Sequence, residues 1–585
     1  MFDILKLIDS PKDVKGMDKD KLGALAEELR QAILFRTSRL GGHVSPNLGV
    51  VELTIALHYV FDMDVDEIVW DVSHQSYAYK MLTGRASGFI NEDNFASVGG
   101  YSSPSESKYD LFKVGHTSTS VSLLCGLVKA RNMQGGKQNI IAVIGDGSLS
   151  GGEAYEGLNN LAEIGGNAIV IVNDNEASIA ENHGGLYNNL KALRDSNGEY
   201  LNNYFTSLGL DYMYIEAGND IGVLIDKLQS ITDIDHPIVV HVHTVKGRGF
   251  LPAEKDKEVW HWEPPYDINT GKRKGVQSEN YSMVMKDYLM DVFAKDDKVV
   301  MVTSATPAVA GFDNASDRNR CAGHIVDVGI AEEHAVSMCA GLSKGGAKVF
   351  YPVYSSFIQR AYDQILQDVC INDLPVCLVV FAGSVFANND ITHLGIFDIP
   401  LLSNIPNLTY YAPTCKEEFV AMLDFARTSN KHPMAIKVPG GKMIETGMVD
   451  NSDYGKINKF DLIKEGKNVA IIGVGTFYNL ACDVVENLQS KGVDATLIKS
   501  KYVSGVDEEM LNVLVKNHKI FVTLEDGLLD GGFGSKVASY LAEKGVKVKA
   551  FGIKRSLPDE YDVQELLKDN NLTAPAIVGW IVNNF

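Results

Sequence analysis

Short apolar runs alternate along this chain with longer amphipathic stretches. Residues 20–40 space their apolar side chains as one face of a helix does, and residues 50–61 do the same. Beyond them lie runs too short for a helix and rich in β-branched residues: NIIAVI at 139–144, AIVIV at 168–172 and IVVHVH at 238–243. Such runs predict strands buried on both faces, and their alternation with helical stretches predicts a parallel sheet covered by helices. The rhythm restarts near Lys298 with VVMVTSAT, KVFYPVY, VCLVVFAG and MAIKVPGG. It restarts again near Asn468 with NVAIIGVGT, ATLIKS and IFVTLED. The fold class is therefore α/β, in three units. Polar, turn-rich stretches around 267–279 and 448–459 mark the joints, giving expected domains of 1–275, 276–450 and 451–585.

Composition narrows the function classes. The 585 residues are 45% hydrophobic and 22% charged, the balance of an ordinary globular protein and not of a disordered or fibrous one. Fifty-four Lys and Arg stand against 75 Asp and Glu, a formal charge of −21. That excess argues against a nucleic-acid or anionic-membrane partner. It leaves room for a local anion site built from metal, histidine and backbone N–H groups. No apolar run has the length of a membrane span, and the first 22 residues carry charges throughout without a signal-peptide core. Seven cysteines, an odd number with no CxxC pair, indicate neither a disulfide framework nor a zinc ribbon, and a reducing cytoplasm is the expected compartment.

The chemistry is concentrated at two strand ends. Gly145-Asp146-Gly147 follows one apolar run and Asn173-Asp174-Asn175 follows the next, with Asp146 and Asn175 29 residues apart. That is the length of one strand–helix–strand unit. GDG alone is a common turn. Paired with NDN at this interval, it places an Asp and an Asn at the carboxyl ends of neighbouring strands, where open α/β sheets bind ligands. Two hard oxygen ligands suffice for Mg²⁺ when substrate phosphates complete its shell, and Gly147 and Gly151-Gly152 allow a diphosphate to approach the backbone. The HEXXH spacing of a catalytic zinc site is absent.

The stretch GDGSLSGGEAYEGLNN…VNDNEASIAENHGGL resembles the thiamine-diphosphate motif of the transketolase group, and within it the 1-deoxy-D-xylulose-5-phosphate synthase family. Further co-linear stretches carry the likeness along almost the whole chain: GGHVSPNLGVVELTIALHYVFD, WDVSHQSYAYKMLTGR, VGHTSTSVS, HTVKGRGFLPAE, DVGIAEEHAVSMCAGLSKGG, YSSFIQRAYDQILQDV, ITHLGIFD and LEDGLLDGGFGS. The resemblance implies a three-domain transketolase-like architecture: a diphosphate-binding domain, a pyrimidine-binding domain and a C-terminal domain, in a homodimer. It implies thiamine diphosphate and Mg²⁺ as cofactors, with pyruvate and an aldehyde as substrates. Asp146, Asn175 and the backbone at Ala177 fall on the metal positions, and Gly145, Gly147, Ser148 and Lys246 on cofactor contacts. Glu332, in GIAEEHA, falls on the position that activates the cofactor by hydrogen-bonding a pyrimidine nitrogen. Phe357 resembles the aromatic that stacks on the pyrimidine. Among the 14 histidines, five lie inside such motifs. By resemblance His43 and His261 flank the reacting carbon, His74 and His116 line the cofactor, and His393 meets the acceptor. Tyr354, Arg360, Asp390 and Lys437 fall on substrate contacts.

The likeness breaks on the acceptor side. The family grips carboxylate and phosphate with arginines, whose planar fork matches such anions. Arg360 is kept. The basic stretch before the GHTSTS motif reads 95-FASVGG-100, the arginine of a DRAG segment is Phe381, and a VRYPRG segment reads 436-IKVPGG-441. The loop 387–393 is one residue longer than the family's, so its acidic contact falls on Asn389 or Asp390. The segment between residues 179 and 238 is shorter. These changes leave three readings: the family's reaction with glyceraldehyde 3-phosphate, related acyloin or ketol transfer to another acceptor, phosphorylated or not, or a thiamine-binding paralogue that does not turn over. No lipoyl or dinucleotide segment points to a dehydrogenase-complex component, and GVGTF at 473–477 is too short for a dinucleotide fingerprint.

Overall fold

A computed structural model of the chain describes residues 2–275 and 278–585. It holds three sheets. The first contains β1 (Glu67–Trp70), β2 (Ile140–Gly145), β3 (Ala168–Asp174), β4 (Asp211–Ile215) and β5 (Ile238–His243), all parallel, in the order β1-β2-β3-β5-β4. The second contains β6 (Val299–Thr303), β7 (Ile325–Asp327), β8 (Lys348–Tyr354), β9 (Val376–Phe381), β10 (Thr409–Tyr411) and β11 (Met434–Lys437). These are also parallel, in the order β10-β11-β9-β8-β6-β7. The third contains β12 (Phe460–Lys464), β13 (Asn468–Val474), β14 (Thr496–Ser500), β15 (His518–Leu528) and β16 (Lys547–Ile553). Its order is β12-β14-β13-β15-β16, with β12 antiparallel at one edge.

Two compact units result. One is Met1–Gln277 with Val328–Ala331, around the first sheet; the other is Ser278–Asp327 with Glu332–Phe585, and it carries the second and third sheets. In the first unit the period-2 rule of a strand divides the core. Ile141 and Val143 of β2 and Ile169 and Ile171 of β3 pack with the helices Lys19–Leu40 and Val51–Val60. Their alternate neighbours Ile140, Ala142, Ile144, Val170 and Val172 pack with the helices Ser120–Met133 and Gly152–Ile164. Each fully buried Val or Ile contributes about 1.5–3 kcal/mol, so a one-residue slip of register would be prohibitive. The register that results sets Gly145 beside Asn173, which brings the GDG and NDN ends together. Among the described residues no helix is long and apolar enough to cross a membrane.

Candidate active site

In the first unit, Asp146 opens the turn after β2 and is almost wholly buried. Burial, reinforced by the nearby charge of Asp174, pushes its pKa up to about 7. Asn175, beyond the end of β3, has its side-chain oxygen buried without a hydrogen-bond partner. The backbone reverses at once: Glu176 has φ of 64°, and Ala177 bridges to Glu181. This strap crosses tightly over the turn. A β-carbon on Gly147 would stand 2.5 Å from that of Ser178, so only glycine fits. Strand end and strap are pinned from behind, because Asp174 accepts from His241 Nε2 at 2.8 Å, from Arg194 and from the Glu176 N–H.

These residues fit a magnesium diphosphate. Asp146 carries a carboxylate whose ionisation is penalised without a cation, and Asn175 offers an unpaired buried oxygen. Both are hard oxygens of the kind Mg²⁺ prefers. Gly151 has no room for a β-carbon against Ser118 Oγ, and Ser118 Oγ donates to the Ser148 carbonyl at 2.8 Å. His116 lies half-buried just ahead, on a loop anchored where Asp71 accepts from the Ser118 and Ser120 N–H groups, both at 3.0 Å.

Three of the five expected histidines meet. The rings of His43 and His74 are 5.0 Å apart, those of His43 and His261 5.6 Å, and those of His74 and His261 5.2 Å. Burial, then the charge of Lys246, drives the His261 pKa well below its ordinary value, so its imidazole is neutral at pH 7. Lys246 is itself buried, and burial brings its pKa down to about 8. Its ammonium donates to the Ser178 carbonyl and lies 3.3 Å from His261 Nδ1. An ammonium can only donate, so Nδ1 accepts and the ring proton resides on Nε2. Asn47 ties the two segments that carry the other rings, donating to the main-chain carbonyls of His43 and His74 at 2.8 and 2.7 Å.

In the second unit, Glu332 begins the helix Glu332–Lys344 and is 3% exposed. Burial pushes its pKa up to about 7, although Arg360 stands only 3.5 Å away. Phe357 meets Tyr354 at 5.4 Å and His393 at 5.6 Å, both edge-on. His393 Nδ1 lies 2.8 Å from Thr392 Oγ1 and 3.9 Å from Asp390. Asn389 points elsewhere, donating to the Tyr561 carbonyl. Asp390 is thus the residue of that pair beside His393.

Two basic residues expected at the substrate stand beside carboxyls. Lys437 is 4% exposed, 2.7 Å from Asp398, and donates to the Gly383 carbonyl. A buried carboxylate this close consumes the ammonium. Arg360 likewise faces Glu332, with its guanidinium 3.5 Å from that carboxyl. Phe381 is buried in the apolar core of the second sheet. At Gly440 a β-carbon would overlap Ser384 Oγ, so no arginine could replace it without moving that serine. Sequence reasoning missed Asn47, Asp71 and the Asp174–His241–Arg194 group. Asn47 and Asp71 lie inside quoted motifs, but only the fold reveals what they anchor.

A carboxyl that keeps its proton near neutrality suits activation of an aminopyrimidine, and oxygen ligands over a glycine turn suit a magnesium diphosphate. With three helix-covered, mostly parallel sheets, they define the transketolase class of thiamine-diphosphate enzymes. Known proteins agree. The family profile described as 1-deoxy-D-xylulose-5-phosphate synthase matches residues 5–202, the transketolase pyrimidine-binding domain matches 277–443, and the transketolase C-terminal domain matches 458–577. The 1-deoxy-D-xylulose-5-phosphate synthase of Clostridium perfringens strain 13 is 37% identical over the full length of both chains. That of Caldanaerobacter subterraneus is 36% identical over 100% of this chain and 99% of its own. Synthase 1 of Geobacter sulfurreducens is 35% identical over 99% and 96%. A solved Pichia stipitis transketolase is 13% identical over 96% of this chain and 97% of that one, with a TM-score of 0.43. The chain belongs to the 1-deoxy-D-xylulose-5-phosphate synthase family, transferases that use thiamine diphosphate and Mg²⁺.

Proposed function

We propose that this chain decarboxylates pyruvate and joins the remaining two-carbon unit to an aldehyde, the reaction of its family, with glyceraldehyde 3-phosphate as the family's acceptor. The observation that carries the reading is Glu332, a buried carboxyl with a pKa of about 7 at the start of its helix. When bound, thiamine diphosphate supplies the carbon nucleophile and the electron sink for loss of CO₂. Asp146, Asn175 and the Ala177 carbonyl hold the metal, and Gly147 leaves space for the diphosphate. Glu332 holds a proton at its carboxyl oxygen for a pyrimidine nitrogen, and Phe357 stacks beside it. His261, with its proton fixed on Nε2, donates toward the donor's oxygen, while His43 and His74 complete the proton relay. His116 and Ser148 line the cofactor. On the acceptor side His393, steadied by Thr392 and Asp390, hands a proton to the aldehyde oxygen as the new carbon–carbon bond forms. Net charge and protons balance: pyruvate, the aldehyde and one proton give the hydroxyketone and CO₂.

A second reading concerns the acceptor's phosphate. Between Arg360 and Lys416 the chain has no Arg or Lys. Lys437 is spent on Asp398 and Gly440 admits no side chain. Charge-assisted hydrogen bonds contribute roughly 1.5–3 kcal/mol each, so two missing ones weaken phosphate binding about 10²- to 10⁴-fold. This favours a smaller or uncharged aldehyde over glyceraldehyde 3-phosphate. We further propose a homodimer of three-domain chains in the cytoplasm, the last supported by seven free cysteines, six of them buried. Incubation with pyruvate, thiamine diphosphate, Mg²⁺ and a panel of aldehydes, read by CO₂ release and product mass, tests the reading. Release of CO₂ with a ketose two carbons longer than the aldehyde is expected. Transfer from a ketose donor without CO₂, or no turnover at all, would overturn it.

A further inference from the structure

The loop that carries Asp390 and His393 leaves the second sheet at the end of β9, yet that sheet does not hold it. Val385, Leu394 and Ile396 belong to the apolar core of the third sheet, and Phe386, Ile391 and Phe397 pack against the same core. The polar ties run the same way. Asp526, on β15, accepts from Ser384 Oγ at 2.5 Å and from the Val385 N–H at 2.9 Å. Tyr561 Oη donates to the Val385 and Asn388 carbonyls at 3.0 and 3.2 Å, and its own carbonyl accepts from Asn389 at 3.1 Å. Asp559 accepts from the Ile391 N–H at 3.1 Å. The turn after β11 is tied likewise, since the Gly440 N–H donates to Thr476 Oγ1 at 3.0 Å. Two loops at the carboxyl edge of the pyrimidine-binding sheet are therefore shaped by residues 476, 526, 559 and 561 of the C-terminal module.

We propose that Asp526, Asp559 and Tyr561 are positioning residues for the acceptor half of the reaction: the C-terminal module fixes loop 384–393 so that His393 and Asp390 meet the aldehyde. None of the three touches the donor side in this account. Loosening them therefore acts on use of the aldehyde and not on capture of pyruvate. The inference rests on the function proposed above.

The test uses the full chain with thiamine diphosphate and Mg²⁺, and the variants Asp526→Asn and Tyr561→Phe. Tyr561 is only half-buried, so its variant keeps the test alive should Asp526→Asn fail to fold. Pyruvate oxidation with ferricyanide as electron acceptor and no aldehyde reads the donor half alone. Ketose formation against aldehyde concentration reads the acceptor half. Tyr561→Phe should raise the aldehyde KM about three- to tenfold, the effect of one lost hydrogen bond, with pyruvate oxidation unchanged. Amide hydrogen exchange should quicken in residues 384–393 and not in the first unit. Equal losses in both half-reactions, or an unmoved KM with unmoved exchange, would overturn the inference. If the wild-type protein consumes no pyruvate, the proposed function fails, and exchange in 384–393 still decides whether the clamp exists.

Discussion

The cofactor side and the acceptor side of this protein are built on different principles. On the cofactor side the working groups stand at the ends of central strands, where register fixes them: Gly145 pairs with Asn173, and the turn and strap that follow leave no room for a β-carbon at Gly147. Asp146 is buried there, and the Asn175 side-chain oxygen is buried without a hydrogen-bond partner. On the acceptor side the groups ride on loop 384–393 and the 438–441 turn, which borrow their support from a neighbouring sheet. There Lys437 is paired with Asp398, and Arg360 stands 3.5 Å from Glu332. The contrast teaches that groups at strand ends are placed by register, whereas groups carried on loops depend on whichever neighbour supports them.

The largest effect expected separates binding from activation within the cofactor side. Asp146→Ala should abolish Mg²⁺-dependent thiamine diphosphate binding in calorimetry. Glu332→Ala should retain it while lowering turnover about 10²- to 10⁴-fold, because its contribution is to proton transfer. Near-normal turnover in Glu332→Ala would show that another group activates the pyrimidine.

Lys437 sharpens the other half. If its ammonium serves Asp398 and not a substrate, Lys437→Ala should cost about 3 kcal/mol of stability, since it leaves the buried Asp398 carboxyl with the Tyr410 hydroxyl but no cation. Lys437→Ala paired with Asp398→Asn should recover much of that in denaturant unfolding. A loss confined to acceptor KM would return Lys437 to the substrate.

A smaller effect concerns pH. Glu525, behind the acceptor loop, accepts from the Phe533 and Gly534 N–H groups, yet burial pushes its pKa up to about 7. A carboxyl raised in this way binds its proton more tightly when folded. Stability is therefore greatest below the ordinary value of 4.5 and falls as pH rises toward about 7. Glu525→Gln does not titrate, so its melting temperature should decline less over that interval than the wild type's. Parallel curves would mean that Glu525 ionises normally.

Much of this was legible in the sequence, and what was missed has a common cause. All ten central strands, from β2 through β15, show as continuous apolar runs because they are buried on both faces. The six edge strands β1, β4, β7, β10, β12 and β16 were not read, since a strand with one neighbour tolerates polar residues such as those of DYMYI or FDLIK. The candidate metal and pyrimidine residues stand out in the sequence because their motifs are contiguous. The Lys437–Asp398 pair does not, because its members lie 39 residues apart. The Asp526 and Tyr561 anchors were invisible for the same reason, being 142 and 176 residues from the backbone and side chains they hold.

The central claim is that the catalytic apparatus is complete while phosphate recognition has weakened. A competition assay tests it most directly: pyruvate with equal concentrations of glyceraldehyde 3-phosphate and unphosphorylated glyceraldehyde, both ketose products quantified by mass. The account predicts CO₂ release with both products formed and no preference for the phosphorylated aldehyde. A preference of about 10³-fold or more, which would require an intact phosphate grip, or the absence of both products, would contradict it.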